Sequence, residues 1–216
     1  MSEIVVHGVP GSPFLRAVML GLEEKGQPYR IQALEPGGSR SEAYLKLHPF
    51  GRIPAFQHGD FSLYETQAIL RYLDDVFPEP ALEPKDPRAT AKMNQIIGIN
   101  DWYLFPQVNR VIGFQRIVGP ALMGTTPDEA VIAAAVPDAR RCLGELDRLV
   151  GEGPFLAGAQ LTIADLIIAP QLDFIAATPE GAEILKGTRL LAWLERMRAR
   201  PSMQATLPPE MFRTAA

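Results

Sequence analysis

Residues 53–65, "IPAFQHGDFSLYE", read as two short strands folded about His58-Gly59-Asp60. Glycine and aspartate between two apolar-rich runs signal a β-hairpin. Residues 66–77 continue as a helix, with Thr66, Ile69, Leu70, Leu73 and Phe77 on one face. Upstream, "SEAYLKL" (41–47) reads as a short helix ended by His48-Pro49. This part of the chain is therefore αββα. Further back, "EIVVH" (3–7) reads as a short buried strand. Residues 13–25 read as a helix, with Leu15, Val18, Met19 and Leu22 on one face and Gly26 as its stop. "PYRIQAL" (28–34) is a second strand with Tyr29 and Ile31 on one face, and "EPGGSR" is a loop. The order βαβ–αββα predicts a small mixed sheet flanked by helices.

The composition then shifts. "FPEPALEPKDPRA" carries prolines at 78, 80, 84 and 87, and proline does not continue a helix interior. Beyond it no strand pattern occurs; residues 88–118, 127–150, 162–177 and 187–199 carry helical periods. The expected class is α+β: an N-terminal domain over 1–79, a linker over 80–87 and an all-helical domain over 88–216. "LTIADLIIAPQLDFIAA" (161–177) is apolar nearly all round, which predicts burial on every side. It opens as a capping box, with Thr162 as N-cap and the Asp165 carboxylate reaching back. Asp165 is accordingly read as a cap partner, not as a catalytic acid.

With 47% apolar residues, a 216-residue chain can bury a sizeable core. Its 21 basic and 25 acidic residues give a formal charge of −4. That argues against nucleic acid or an anionic membrane surface as the main partner, since such binders carry a basic patch. No apolar run approaches the ~20 residues of a membrane helix. The start, "MSEIVVHG", lacks the basic and apolar regions of a signal peptide, so a cytoplasmic protein is expected. Cys142 is the only cysteine, which leaves no internal disulfide. His7, His48 and His58 are scattered, and no Cys/His pair has zinc spacing, so no metal is expected.

The junction after the first strand, "HGVPGSPFLRAVMLGLEEKG" (7–26), packs Gly8, Pro10, Gly11 and Ser12 into five positions. Two readings stand side by side. Ser12 is a favoured N-cap and Pro13 a favoured first helical residue. Equally, a hydroxyl at the positive end of a helix can hold an anion.

Four stretches, "GSPFLRAVMLGLEEKG", "SEAYLKLHPFGRIPAF", "LYETQAILRYLDD" and "GAQLTIADLIIAPQL", together resemble the cytosolic glutathione transferases. They span both domains in that family's order. The resemblance implies a thioredoxin-like N-terminal domain and a helical C-terminal one. It implies glutathione as co-substrate, no metal, a hydrophobic electrophile as second substrate, and a homodimer. The spacing Ser12-x-x-x-Arg16 resembles the serine-using branches, of the phi or theta type, here in a bacterial member.

The resemblance also assigns site residues. Ser12 would activate the glutathione thiol. The Ile53-Pro54 bond would be cis and turn the Ile53 backbone toward glutathione's cysteinyl group. Glu65 and Thr66 would take the γ-glutamyl end, Glu65 facing its ammonium and Thr66, alone an N-cap, its carboxylate. Arg40 and Arg52 would meet the glycine carboxylate. Val9, Phe14, Trp102, Tyr103 and Phe105 are candidate walls for the acceptor, and Asp101 a residue that could reach a glutathione in a partner subunit. Each also has a plain reading as core or solvated surface. With no cysteine near Ser12, mixed-disulfide chemistry is not expected. Two function classes remain. One is glutathione conjugation, or a variant such as peroxide or disulfide reduction or dehalogenation. The other is a non-catalytic transferase-like protein-interaction module.

Overall fold

The computed structural model describes residues 2–35 and 37–213. Four strands form one sheet: β1 (Ile4–Gly8), β2 (Arg30–Ala33), β3 (Ala55–His58) and β4 (Phe61–Tyr64), in the order β2-β1-β3-β4. β1 and β2 run parallel, with Val6 opposite Ile31. β3 lies antiparallel to both β1 and β4, with Phe56 opposite Val6 and Leu63. The parallel pair requires a crossover, supplied by helix α1 (Pro13–Glu24). A short helix α2 (Glu42–Leu47) precedes the hairpin, and α3 (Thr66–Val76) follows it. This is the βαβ–αββα order expected.

Two apolar clusters sit on opposite sides of α1 and α3. Leu15, Val18 and Leu22 of α1 meet Ile69 and Leu73 of α3 beneath Ile4, Val6 and Phe56 of the sheet. Ala17 and Leu20 of α1 and Leu70 of α3 face the other way, into the large helical core. The helices can approach closely because position 21 is glycine: a Cβ there would stand 2.5 Å from Leu70 Cδ2.

After α3 the chain runs into α4 (Pro87–Ile99), then a wide helix, Asn100–Val118, then helices Glu129–Leu149, Ile163–Ala176, Pro179–Leu185, Arg189–Arg198 and Pro201–Ala205. The two shorter helices, Pro179–Leu185 and Pro201–Ala205, are absent from the sequence reading. Each opens on a proline, Pro179 and Pro201, that a breaker-based reading takes for a stop but that starts a helix well. The wide helix closes with Gly119 N–H donating to Phe114 C=O, an i→i+5 bond. The Ile163–Ala176 helix is buried over most of its length and packs against α1. The proline-rich stretch is firmly held. Asp74 accepts from the backbone N–H of Leu82 and Glu83, and Lys25 Nζ donates to Asp74 and to Pro80 C=O.

Charged side chains fasten α1 to the helical half. Arg16 Nη1 pairs with Asp173 Oδ2 at 2.5 Å and Nη2 donates to Met203 C=O at 3.1 Å. Glu24 takes both Arg200 Nε and Nη2, at 2.9 and 2.7 Å. Arg16 thus belongs to this joint rather than to a ligand site. No helix among the described residues is long and apolar enough to cross a membrane.

Candidate functional site

Between the sheet domain and the helices lies a cleft of about 980 Å³. Ser12, Arg52, Ile53, Pro54, Glu65 and Thr66 all line it. Residues separated by up to 54 positions therefore meet in one place. The topology brings them there: Ser12 ends the loop after β1, Ile53-Pro54 leads into β3, and Glu65 joins β4 to α3.

Ser12 is the N-cap of α1, its Oγ accepting from Leu15 N at 3.4 Å. A hydroxyl has two acceptor lone pairs and one donor hydrogen. Capping uses an acceptor site, so the O–H is left to donate elsewhere. Gly11, just before it, has φ +99, and a Cβ there would stand 2.4 Å from Phe212 Cδ2. Both the backbone conformation and the approach of Phe212 demand glycine. Gly8 is different: its φ is not positive, and its missing Cβ makes room for Leu15.

Ile53-Pro54 is a cis peptide. The loop before it is fixed by Tyr44, whose hydroxyl donates to Arg52 C=O at 2.7 Å. Glu65 is the N-cap residue of α3, and Thr66 is the first helical residue, buried. The N-cap expected at Thr66 is thus displaced by one position. The reason is local: Glu65 takes φ +72, alone among the described non-glycine residues, which turns the chain into the helix one residue early. A bulky residue held there is strained, and such outliers gather at functional sites.

Asp101 lines the same cleft in its own chain. It accepts from Gln67 Nε2 and from Asn100 Nδ2, the latter at 3.0 Å. Burial raises its pKa, and the Glu65 carboxylate nearby adds to the rise against those two hydrogen bonds. His48, buried behind this wall, is held below the usual imidazole range by burial, with Glu65 and Arg52 pulling in opposite directions. Arg40 stands apart from the main cleft, in an adjoining hollow it shares with Pro49, Phe50, Arg52, Phe105 and Arg110.

The remaining lining is largely aromatic and aliphatic. Val9 lines the cleft, and the Phe14 and Phe105 rings stand edge to face at 4.7 Å. Trp102 and Tyr103, also expected there, are 74% and 52% exposed and lie outside the cleft. Their places are taken by Phe114, Phe174 and Phe212. In the wide helix, Asp101, Phe105, Arg110, Phe114 and Val118 face the cleft at intervals of four or five residues. An i→i+5 helix brings such residues onto one face, whereas an ordinary helical period leaves them scattered.

With this geometry in place, similarity to known proteins decides the family. The profile of the glutathione S-transferase N-terminal domain matches residues 6–81, and that of the C-terminal domain matches residues 129–196. Glutathione S-transferase III, in its apo structure, is 30% identical, covers 96% of this chain and 99% of its own, and superposes with a TM-score of 0.84. The chain belongs to the glutathione S-transferase family. Glutathione S-transferase 3 of Zea mays is 29% identical, over 97% of both chains. The structure of a glutathione S-transferase-I bound with lactoylglutathione is 27% identical, with a TM-score of 0.83 over 95% of this chain and 98% of that one.

In this member of the glutathione S-transferase family, two titratable groups outside the cleft have structural settings. Cys142 is buried and its thiol is pushed up to about 12 by burial. Asp165 is fully buried and forms the expected capping box with Thr162. It also accepts from Leu156 N at 2.8 Å and Trp193 Nε1 at 3.1 Å. Those two distant partners are what the sequence did not show.

Proposed function

We propose that this chain is a glutathione transferase of the serine-using, phi- or theta-like kind, acting as a cytoplasmic homodimer. The observation that carries the reading is the cleft itself, with a polar wall of the sheet domain (Ser12, Arg52, Glu65 and Thr66) facing Phe105, Phe114, Val118 and Phe174 of the helices. In this reading glutathione lies along the polar wall. The α3 N-terminus and Thr66 hold the γ-glutamyl carboxylate. Glu65 faces its ammonium, the Ile53 backbone pairs with the cysteinyl unit, and Arg40 and Arg52 meet the glycine carboxylate.

The sulfur then lies over the N-terminus of α1. Ser12 donates its hydroxyl hydrogen to the thiolate while its oxygen keeps the helix cap. A free thiol has a pKa of ~8.5, so only a few per cent is ionised at neutral pH. A hydrogen bond to an anion, worth ~1.5–3 kcal/mol, lowers that by roughly one to two units. The thiolate attacks an electrophile resting on Phe14, Phe105, Phe114 and Phe174. A carbon–sulfur bond forms and the leaving group departs with its electron pair.

Exposed Phe50, Trp102 and Tyr103 offer apolar surface for a second copy. Light scattering of the full chain at micromolar concentration reads a dimer if that is right and a monomer if it is not. Retention on immobilised glutathione, release by free glutathione, and turnover of a neutral aromatic chloride test the activity. A protein that is folded but neither binds nor turns over would instead be the interaction module.

A further inference from the structure

Most of the chain's arginines are matched to an acid: Arg16 to Asp173, Arg71 to Glu83, Arg116 to Glu180, Arg200 to Glu24. Arg40, Arg52 and Arg110 have no acid partner among the described residues, and they meet in one hollow of about 600 Å³ beside the main cleft. All three are exposed. They come from two different parts of the fold. Arg40 and Arg52 belong to the loops around α2, and Arg40 is seated against Gly51, where a Cβ would stand 3.0 Å from its Nη1. Arg110 belongs to the wide helix on the other side.

Three cations of one sign in a concave site repel one another, and an anionic ligand relieves that. In the reading above, glutathione brings one carboxylate to Arg40 and Arg52. Arg110 remains unmatched. It lines both the hollow and the main cleft, one wide turn from Phe105 and near Phe114 on the same helical face. Arg110 therefore stands at the edge of the aromatic lining, and its guanidinium is a fork suited to a planar anion. The acids of the cleft, Glu65 and Asp101, flank the start of α3, and Asp101 is engaged by Gln67 and Asn100.

We propose that Arg110 makes the acceptor site selective for organic anions, so that the second substrate is an aromatic electrophile carrying a carboxylate or sulfonate. The ring packs on Phe105 and Phe114 and the anionic group pairs with Arg110. In the conjugation step the thiolate sulfur bonds to the ring carbon, the carbon–halogen bond breaks, and the halide leaves with the bonding pair. The charge on the acceptor takes no part in the chemistry; it sets which ring binds.

The catalytic consequence rests on the glutathione reading, but the binding preference does not, so the two are measured separately. Calorimetry on the full chain without glutathione compares dinitrobenzoate with neutral dinitrobenzene. The wild type is expected to favour the benzoate ten-fold or more, about 1.4 kcal/mol. Arg110→Ala should bring the ratio to within about two-fold, Arg110→Lys should keep part of it, and added salt should weaken it. With glutathione, kcat/KM for chlorodinitrobenzoate over chlorodinitrobenzene should follow the same order. No preference in the wild type, or the same preference in a folded Arg110→Ala, overturns the proposal. So does an Arg110→Ala whose whole loss lies in glutathione affinity, since Arg110 would then serve the tripeptide. Failure of the glutathione reading shows differently, as a wild type that binds no glutathione while the benzoate preference stands.

Discussion

At the scale of single residues, Glu65 carries two burdens, a carboxylate facing the cleft and a backbone at φ +72. The two can be separated. Glu65→Gln keeps the size and removes the charge, and losing a charged hydrogen bond of ~1.5–3 kcal/mol should weaken glutathione ten-fold or more by calorimetry. Glu65→Gly should weaken it at least as much while relaxing the backbone, so its melting temperature should not fall with its affinity. Unchanged affinity in Glu65→Gln would remove the residue from the site. Cys142 is the opposite case. With its thiol pushed up to about 12 by burial, it should resist alkylation in the native protein at neutral pH and react on unfolding. Cys142→Ala should keep its glutathione-dependent turnover within about two-fold; a larger drop would bring the thiol back into the chemistry. The residue types at the site were legible because hydroxyls, acids and prolines at element junctions are local signals. The φ of Glu65 was not, because the chain around it, not the side chain, imposes it.

At the scale of elements, the strands and α1–α3 were legible because each packs one apolar stripe against the sheet. The second face of α1 was not. Arg16 and Glu24 read as ordinary helix polar residues, yet they are buried or part-buried in the joint with the helical half, and Lys25 is buried against Asp74 of α3. The acceptor wall was hidden by period: the wide helix presents Phe105, Arg110 and Phe114 at spacings that an ordinary helix would scatter. The Ile163–Ala176 helix was readable for its burial and its cap, but not for the bonds that Asp165 receives from Leu156 and Trp193. Those bonds set the size of the next expectation. Asp165→Ala strands several buried donors, each costing ~1–3 kcal/mol, so the loss should reach about 3 kcal/mol or more. Thr162→Ala should lose ~0.5–2 kcal/mol, and the double variant should lose less than the sum. Thermal or urea melts check this. Full additivity, or lost turnover at unchanged stability, would contradict a structural Asp165.

At the scale of the molecule, the joint between the two halves gives stability a pH dependence. Burial pushes the Glu24 carboxyl up, but hydrogen bonds from Arg200 and Ser202 and the Arg200 charge outweigh it, leaving the pKa below its ordinary 4.5. A carboxylate with a depressed folded pKa stabilises above its unfolded pKa, and that contribution is lost as pH falls through the folded value. Glu24→Gln should therefore cost about 1–2 kcal/mol at neutral pH, and the gap to the wild type should close as pH falls through the folded pKa of Glu24. An equal gap at every pH would mean that packing, not charge, is what Glu24 supplies.

The same joint holds α1 with its N-terminus toward the cleft, so the fold as a whole is what would place a sulfur over Ser12. The most direct measurement is a pH titration of thiolate absorbance in the glutathione complex, for the wild type and Ser12→Ala. The wild type should ionise its bound thiol roughly one to two units below the free value of ~8.5. Ser12→Ala should raise that pKa by about one unit or more and slow turnover near neutrality about ten-fold, with glutathione affinity largely kept, besides losing a helix cap of ~0.5–2 kcal/mol. A bound thiol that ionises near ~8.5 in the wild type, or a Ser12→Ala complex that loses only stability while its thiol pKa stays where it was, would contradict thiol activation at this helix.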